Sequence, residues 1–250
     1  MAINVNTVYT TVLSILNKEQ RGYITPEEFN KLGTQVQLEI FENYFEDLNQ
    51  QLRVPQADSE YANRQKNIDN CISIFKTIGN TTYNAAGGYF LPPSDLHRIG
   101  TVIYKDEKEL QRVERKDFLN INLSPLTKPT TQFPVYLYEQ VVQGTGGANT
   151  GETHIFVKPT TIVTAADITV SYIRKPADVV WGYQQLGGGP WSSGPYIYNA
   201  GASTQFELDD TEQTEVILRI LAYAGVVIRD PQIVQAASQA VQSEEVNSKS

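Results

Sequence analysis

One cysteine, one methionine and two histidines in 250 residues remove several chemistries at once. Cys71 has no second cysteine, so neither a disulfide nor a Cys-based zinc site can form within the chain. His97 and His154 lie far apart and outside any metal-ligand spacing, so both read as structural or surface histidines. Positive charge is also short. Twenty Lys and Arg against 28 Asp and Glu leave a net charge of −8, which disfavours binding that neutralises many phosphates. Long apolar runs are missing too: "VILRILAYAGVVI" (216–228) is too short for a bilayer and is interrupted by Arg219. The first twenty residues have neither a basic start nor a small-residue cleavage site, so no signal peptide is expected.

Familiar catalytic signatures are absent as well. The chain has no G-x-S-x-G and no P-loop, and no G-x-G-x-x-G stands at a strand–helix junction. "GTGGANTG" (144–151) reads as a hairpin tip between strands and lacks the Lys that would reach a phosphate. "ELDDTEQTE" gathers Glu207, Asp209, Asp210, Glu212 and Glu215, but acids favour the first turn of a helix through its dipole. The reading is therefore of a protein that is not an enzyme and needs no cofactor.

What is present is helix, then strand, then helix. Residues 6–16 carry Val8, Val12, Leu13, Ile15 and Leu16 with helical spacing. Thr25, Pro26 and Glu28 form a capping box with proline at the first helical position. Phe29, Leu32, Val36, Ile40, Phe41, Phe45, Leu48 and Leu52 then mark a long helix that Pro55 ends. A third helix is expected over 59–76, with Cys71 as a buried small hydrophobe on its apolar face. Strands are expected near 98–104, 133–141, 153–159 and 167–176, with a short helix within 113–121. Asp210 or Thr211 caps a further helix, and Asp230-Pro231 starts another over 231–245 before a polar tail. The fold class is α+β, with helical N- and C-terminal segments packed around a small antiparallel β-module. Its parts are helices over 1–78, a β-rich module over 79–206, and a helix pair with tail over 207–250, all in one folded unit.

Two stretches are singled out for function. "NKEQRGYITPEEFN" (17–30) has the skeleton of an EF-hand loop, with Gly22 sixth, Ile24 eighth and Glu28 twelfth. Asn17 and Glu19 are poor ligands in their positions, and Arg21 puts positive charge where an oxygen belongs, so the loop is read as a metal-free helix–helix corner. The second is the Gly-, Pro- and aromatic-rich loop 177–205. Disordered segments are depleted in large aromatics, so Trp181, Tyr183, Trp191, Tyr196 and Tyr198 are candidate contact residues of a loop ordered alone or on assembly.

The opening run "MAINVNTVYTTVLSILNKEQRGYITPEEFNKLGTQVQLEIFENYFEDLNQQLRVPQ" resembles phage virion structural proteins, including those of crAss-like and marine podoviruses. The remainder is similar in layout to head-to-tail adaptor, or connector, proteins of tailed phages. The similarity lies in "YFLPPSDLHRIGTVIY" (89–104), "ITVSYIRKPAD" (168–178) and the capped helix, Asp-Pro break and second helix of 208–245. The long 177–205 loop and the long first helices depart from that pattern. The resemblance implies a homo-oligomeric ring, usually of twelve copies, below the portal protein in the virion and assembled in the host cytoplasm. Its partners would be the portal, neighbouring ring or tail proteins, and genomic DNA passing without sequence-specific binding; no membrane is involved. A receptor- or carbohydrate-binding tail module and a calcium-binding helix–loop–helix protein are the alternatives.

Overall fold

The first helix, α1 (Val5–Lys18), starts at a cap that hydropathy does not reveal. Asn4 Oδ1 accepts from the backbone N–H groups of Asn6 (2.9 Å) and Thr7 (3.1 Å), satisfying donors that the first helical turn leaves unpaired. Val5, Val8, Tyr9, Val12 and Leu16 then fall on one buried face. α2 (Pro26–Arg53) begins at the expected capping box. Glu28 N–H donates to Thr25 Oγ1 (3.3 Å), while Thr25 N–H donates back to Glu28 Oε2 (2.9 Å). Phe29, Val36, Ile40, Phe41, Tyr44 and Phe45 line its buried face. α3 (Ser59–Ser73) is shorter than the expected 59–76, because the next strand begins at Lys76.

The computed structural model describes residues 2–18, 23–53, 59–140, 153–185, 196–228, 235 and 238–243. The sequence reading puts the chain in one folded unit, but it divides into two: residues 1–74 with 176–250, and residues 75–175. The β-rich unit is therefore narrower than 79–206, and the stretch 176–206 folds with the helices. The expected hairpin tip at 144–151 and most of the expected last helix lie outside the described residues; 238–243 are helical.

In the β-unit, β1 (Lys76–Asn80), β4 (Leu96–Tyr104), β5 (Lys108–Glu109) and β9 (Ile168–Arg174) form an antiparallel sheet in the order β1-β9-β4-β5. A second sheet takes β2 (Thr82–Asn84), β3 (Tyr89–Leu91), β6 (Gln111–Arg112), β7 (Val135–Glu139) and β8 (His154–Lys158) in the order β2-β3-β8-β7-β6. Only its β6–β7 pair runs parallel. Strand alternation sends Val102, Tyr104, Ile168, Val170 and Tyr172 from one sheet into a core shared with Phe90, Tyr136, Ile155 and Val157 from the other. Gly100 sits at a register shift in β4, where a Cβ would stand 2.8 Å from the Ser171 carbonyl oxygen. A side chain does not fit there, and the bulge bends the strand over the core. The short helix α4 (Arg115–Asn120) packs beside β7, within the span expected from sequence.

The helical unit closes on α5 (Gln213–Ile228), which packs against α1 and α2 through Val216, Ile220, Leu221 and Ala224. A 3-10 turn (Asp210–Glu212) precedes it with Asp209 in the capping position, one residue before the expected Asp210 or Thr211.

Candidate functional site

The aromatic stretch after residue 176 is held by three polar side chains of α2. Asn30 Oδ1 accepts from the Trp181 N–H (2.7 Å), and Thr34 Oγ1 accepts from the Val179 N–H (3.0 Å). Gln37, only 1% exposed, donates Nε2–H to the Ala177 carbonyl (2.7 Å) and accepts from the Glu207 N–H (2.8 Å). Positions 30, 34 and 37 share one helix face. The two steps advance about 6 and about 4.5 Å along the axis, near the roughly 6.6 Å that two residues of extended chain cover. The helix thus satisfies alternate backbone groups of 177–181 as a neighbouring strand would. An isolated bridge pairs Val180 with Thr204 of the returning chain, and another pairs Phe206 with Ile3.

Trp181 is 4% exposed and is spent inside its own unit. Its ring centroid lies 4.2 Å from that of Tyr9, and its Nε1–H donates to Asn6 Oδ1 (3.0 Å). Gly182 follows because nothing larger fits: a Cβ there would lie 2.6 Å from the Ala202 backbone. The expected loop then becomes a small antiparallel ribbon, β10 (Tyr183–Gln185) with β11 (Tyr196–Tyr198), pairing Tyr183 with Tyr198 and Gln185 with Tyr196. Tyr183 and Tyr198 stack at 6.0 and 5.8 Å from Trp181, and Tyr196 meets Tyr183 edge-on at 4.9 Å. All three ribbon tyrosines are half-buried, and Ile197 and Tyr23 are exposed. Burial first, then its hydrogen bond with Tyr23, pushes the Tyr9 hydroxyl well above the ordinary tyrosine range. Of the five aromatic candidates, four gather around Tyr9 and Trp181; Trp191 lies outside the described residues. A partner at this surface would meet the tyrosines, not the covered face of Trp181.

The acids of 207–215 do not converge. Glu207 accepts from the Ala177 N–H (3.1 Å), and Asp209 accepts from the Thr211 hydroxyl (2.8 Å), which holds its carboxyl low. Glu215 pairs with the buried Arg219, whose other arm reaches Glu39 of α2 (2.5 Å); the Tyr223 hydroxyl also donates to Glu39 (3.0 Å). Glu212 is bonded to the Tyr44 hydroxyl and is pushed up to about 7 by burial, with the charges of Glu215 and Asp209 adding to it. The Tyr44 hydrogen bond and Arg219 pull the other way. These residues tie α5 and its preceding turn to α2. Cys71 is half-buried rather than fully buried, and burial and then the Glu212 charge push its thiol up, away from the reactive thiolate.

The EF-hand-like stretch yields a cap. Glu28 is engaged by Thr25 through the backbone and the hydroxyl, and those bonds hold its carboxyl low. Asn17 is exposed near the end of α1, while Glu19, Arg21 and Gly22 lie outside the described residues. Among the described residues no group of three or more His, Cys, Asp or Glu is placed to hold a metal, and no helix is long and apolar enough to cross a membrane. His154 is buried in β8, its ring tilted against Tyr89 at 4.0 Å between centroids, which makes it structural rather than a surface histidine. No family model matches the chain, and no curated protein matches it either.

The residues that sequence reasoning passed over are Asn30, Thr34 and Gln37. Their signal was a polar i, i+4, i+7 row beside the apolar face of a long helix.

Proposed function

We propose that this chain is a virion structural protein of a tailed phage: a ring-forming head-to-tail adaptor that joins portal to tail and lines the DNA channel. The observation that carries the reading is the way the two ends of the chain build one helical unit around polar ties. Gln37, Glu212 and Arg219 are polar groups inside the helical unit, and each is engaged in docking the 176–228 segment onto α2. Such a unit serves as a packing body, with its contacts made by loops and ribbons. The resemblance of residues 1–56 and of the 89–245 layout to phage virion proteins supports the same reading. So does the acidic balance, because a channel that releases DNA gains from not holding phosphates.

Light scattering on the size-fractionated chain, alone and with portal, tests the proposal, together with electron microscopy of the particle that carries it. Closed rings and density at the portal vertex are expected. A monomer that persists in the presence of portal would sink the reading.

A further inference from the structure

The β-unit carries a run of large apolar side chains that its own core leaves uncovered. Leu119, Leu123, Leu126 and Phe133 are 62%, 80%, 97% and 81% exposed. Elsewhere in the unit exposed large hydrophobics are scattered, as at Ile78 and Val163, which is ordinary for a protein surface. Four within fifteen residues is not. Together they offer on the order of 500 Å² of accessible surface, against the roughly 800 Å² that each partner buries in a standard specific interface.

The segment that presents them is internally tied. Lys158 Nζ donates to the Phe118 carbonyl (2.6 Å) and sits 4.1 Å from the Phe118 ring centroid, and Arg115 Nε donates to Glu139 (2.6 Å). Thr127 Oγ1 donates to the Ile121 carbonyl (3.0 Å). Backbone bonds Leu123→Asn120 (2.9 Å), Lys128→Ser124 (3.1 Å) and Phe133→Thr130 (3.1 Å) fold the chain into successive turns. A pre-shaped segment loses little conformational freedom on docking, so more of its apolar burial appears as affinity.

Charge identifies the occupant. Residues 75–175 hold 11 Lys and Arg against 9 Asp and Glu, net +2; the remaining residues hold 9 against 19, net −10. Between 115 and 134 the balance is Arg115, Lys116 and Lys128 against Asp117 alone, with Lys116 and Lys128 exposed. The acidic helical unit presents Glu42 and Glu46 on the exposed side of α2. We infer that the 115–134 segment is a docking arm whose partner is the helical unit of a second copy of this chain, with the leucines and Phe133 making the apolar contact and Lys116 and Lys128 facing α2 acids. When one such contact joins each pair of copies, the arm of one on the helical unit of the next, it is heterologous and propagates into a ring or an open chain. This rests on the self-assembly part of the reading above and names the surface that performs it.

Sedimentation velocity and electron microscopy of the full chain test it, comparing wild type with Leu123→Gln/Leu126→Gln/Phe133→Gln and with Lys116→Glu/Lys128→Glu. Wild type is expected to assemble. The apolar variant should raise the midpoint concentration for assembly at least tenfold with an unchanged melting temperature. The charge-reversed pair should raise it at least threefold and recover when combined with Glu42→Lys/Glu46→Lys. Should the apolar variant fold poorly, the charge swap decides alone. Rings that form equally well from all variants would overturn the arm and leave the ring reading standing. Open chains or small oligomers dispersed by the arm variants would uphold the arm and overturn the ring. Wild type monomeric at every concentration, with and without portal, would overturn both, and a variant that loses portal binding but still self-assembles would overturn the second copy as occupant.

Discussion

Glu212 shows how one buried carboxyl can set the pH response of the helical unit. Its carboxyl is pushed from 4.5 to about 7, chiefly because burial penalises the charged form. Between those values the folded state binds more protons than the unfolded state, so the stability it contributes is complete below about pH 4.5 and is lost as pH rises through 7. That difference corresponds to roughly 3 kcal/mol. Urea midpoints are expected to fall between pH 5 and pH 8, and Glu212→Gln should flatten that slope while keeping an acceptor for Tyr44. An unchanged slope in the variant would assign the pH response elsewhere. The acids at 207–215 were visible in the sequence, but which of them is buried was not. Asp209 and Glu212 are three residues apart, yet the first accepts from the Thr211 hydroxyl and keeps its carboxyl low, while burial beside Tyr44 of α2 pushes the second up.

At the scale of elements, the long helices were the most legible part of the fold. Thr25, Pro26 and Glu28 carry a local signal that works over four residues, and the apolar spacing from Phe29 to Phe45 repeats often enough to be read. The longer strands of the β-unit, β4, β7, β8 and β9, declared themselves by alternation and β-branched content. β2, β3, β5, β6, β10 and β11 are two or three residues long, too short for any period, and are strands only because a neighbour supplies the hydrogen bonds. Gln37 tests how much one such long-range tie is worth. Replacing it with Leu leaves the Ala177 carbonyl and the Glu207 N–H without their partner. A loss of about 2–4 kcal/mol is expected in chemical denaturation, together with faster proteolysis within 177–206. A loss under about 0.5 kcal/mol would mean that Asn30, Thr34 and the burial of Trp181 and Phe206 hold the segment without Gln37.

The whole molecule divides its charge as it divides its fold: net −10 in the helical unit against +2 in the β-unit. No large phosphate-neutralising surface follows from that distribution, so duplex DNA at 0.15 M salt is expected to show no mobility shift with the purified chain. A salt-sensitive shift would contradict it and point to a basic surface formed on assembly. By itself, the sequence determined the α+β class, the three N-terminal helices, the main strands and the scarcity of cysteine and histidine. These follow from composition and short-range periodicity, which act within a few residues. Only the tertiary structure decided that residues 176–206 belong to the helices, that Trp181 is committed to Tyr9, and that the apolar side chains of 119–133 stay uncovered. The first two depend on partners 140 to 175 residues away and the third on the lack of any covering group, and a chain's linear order does not state which distant groups will meet.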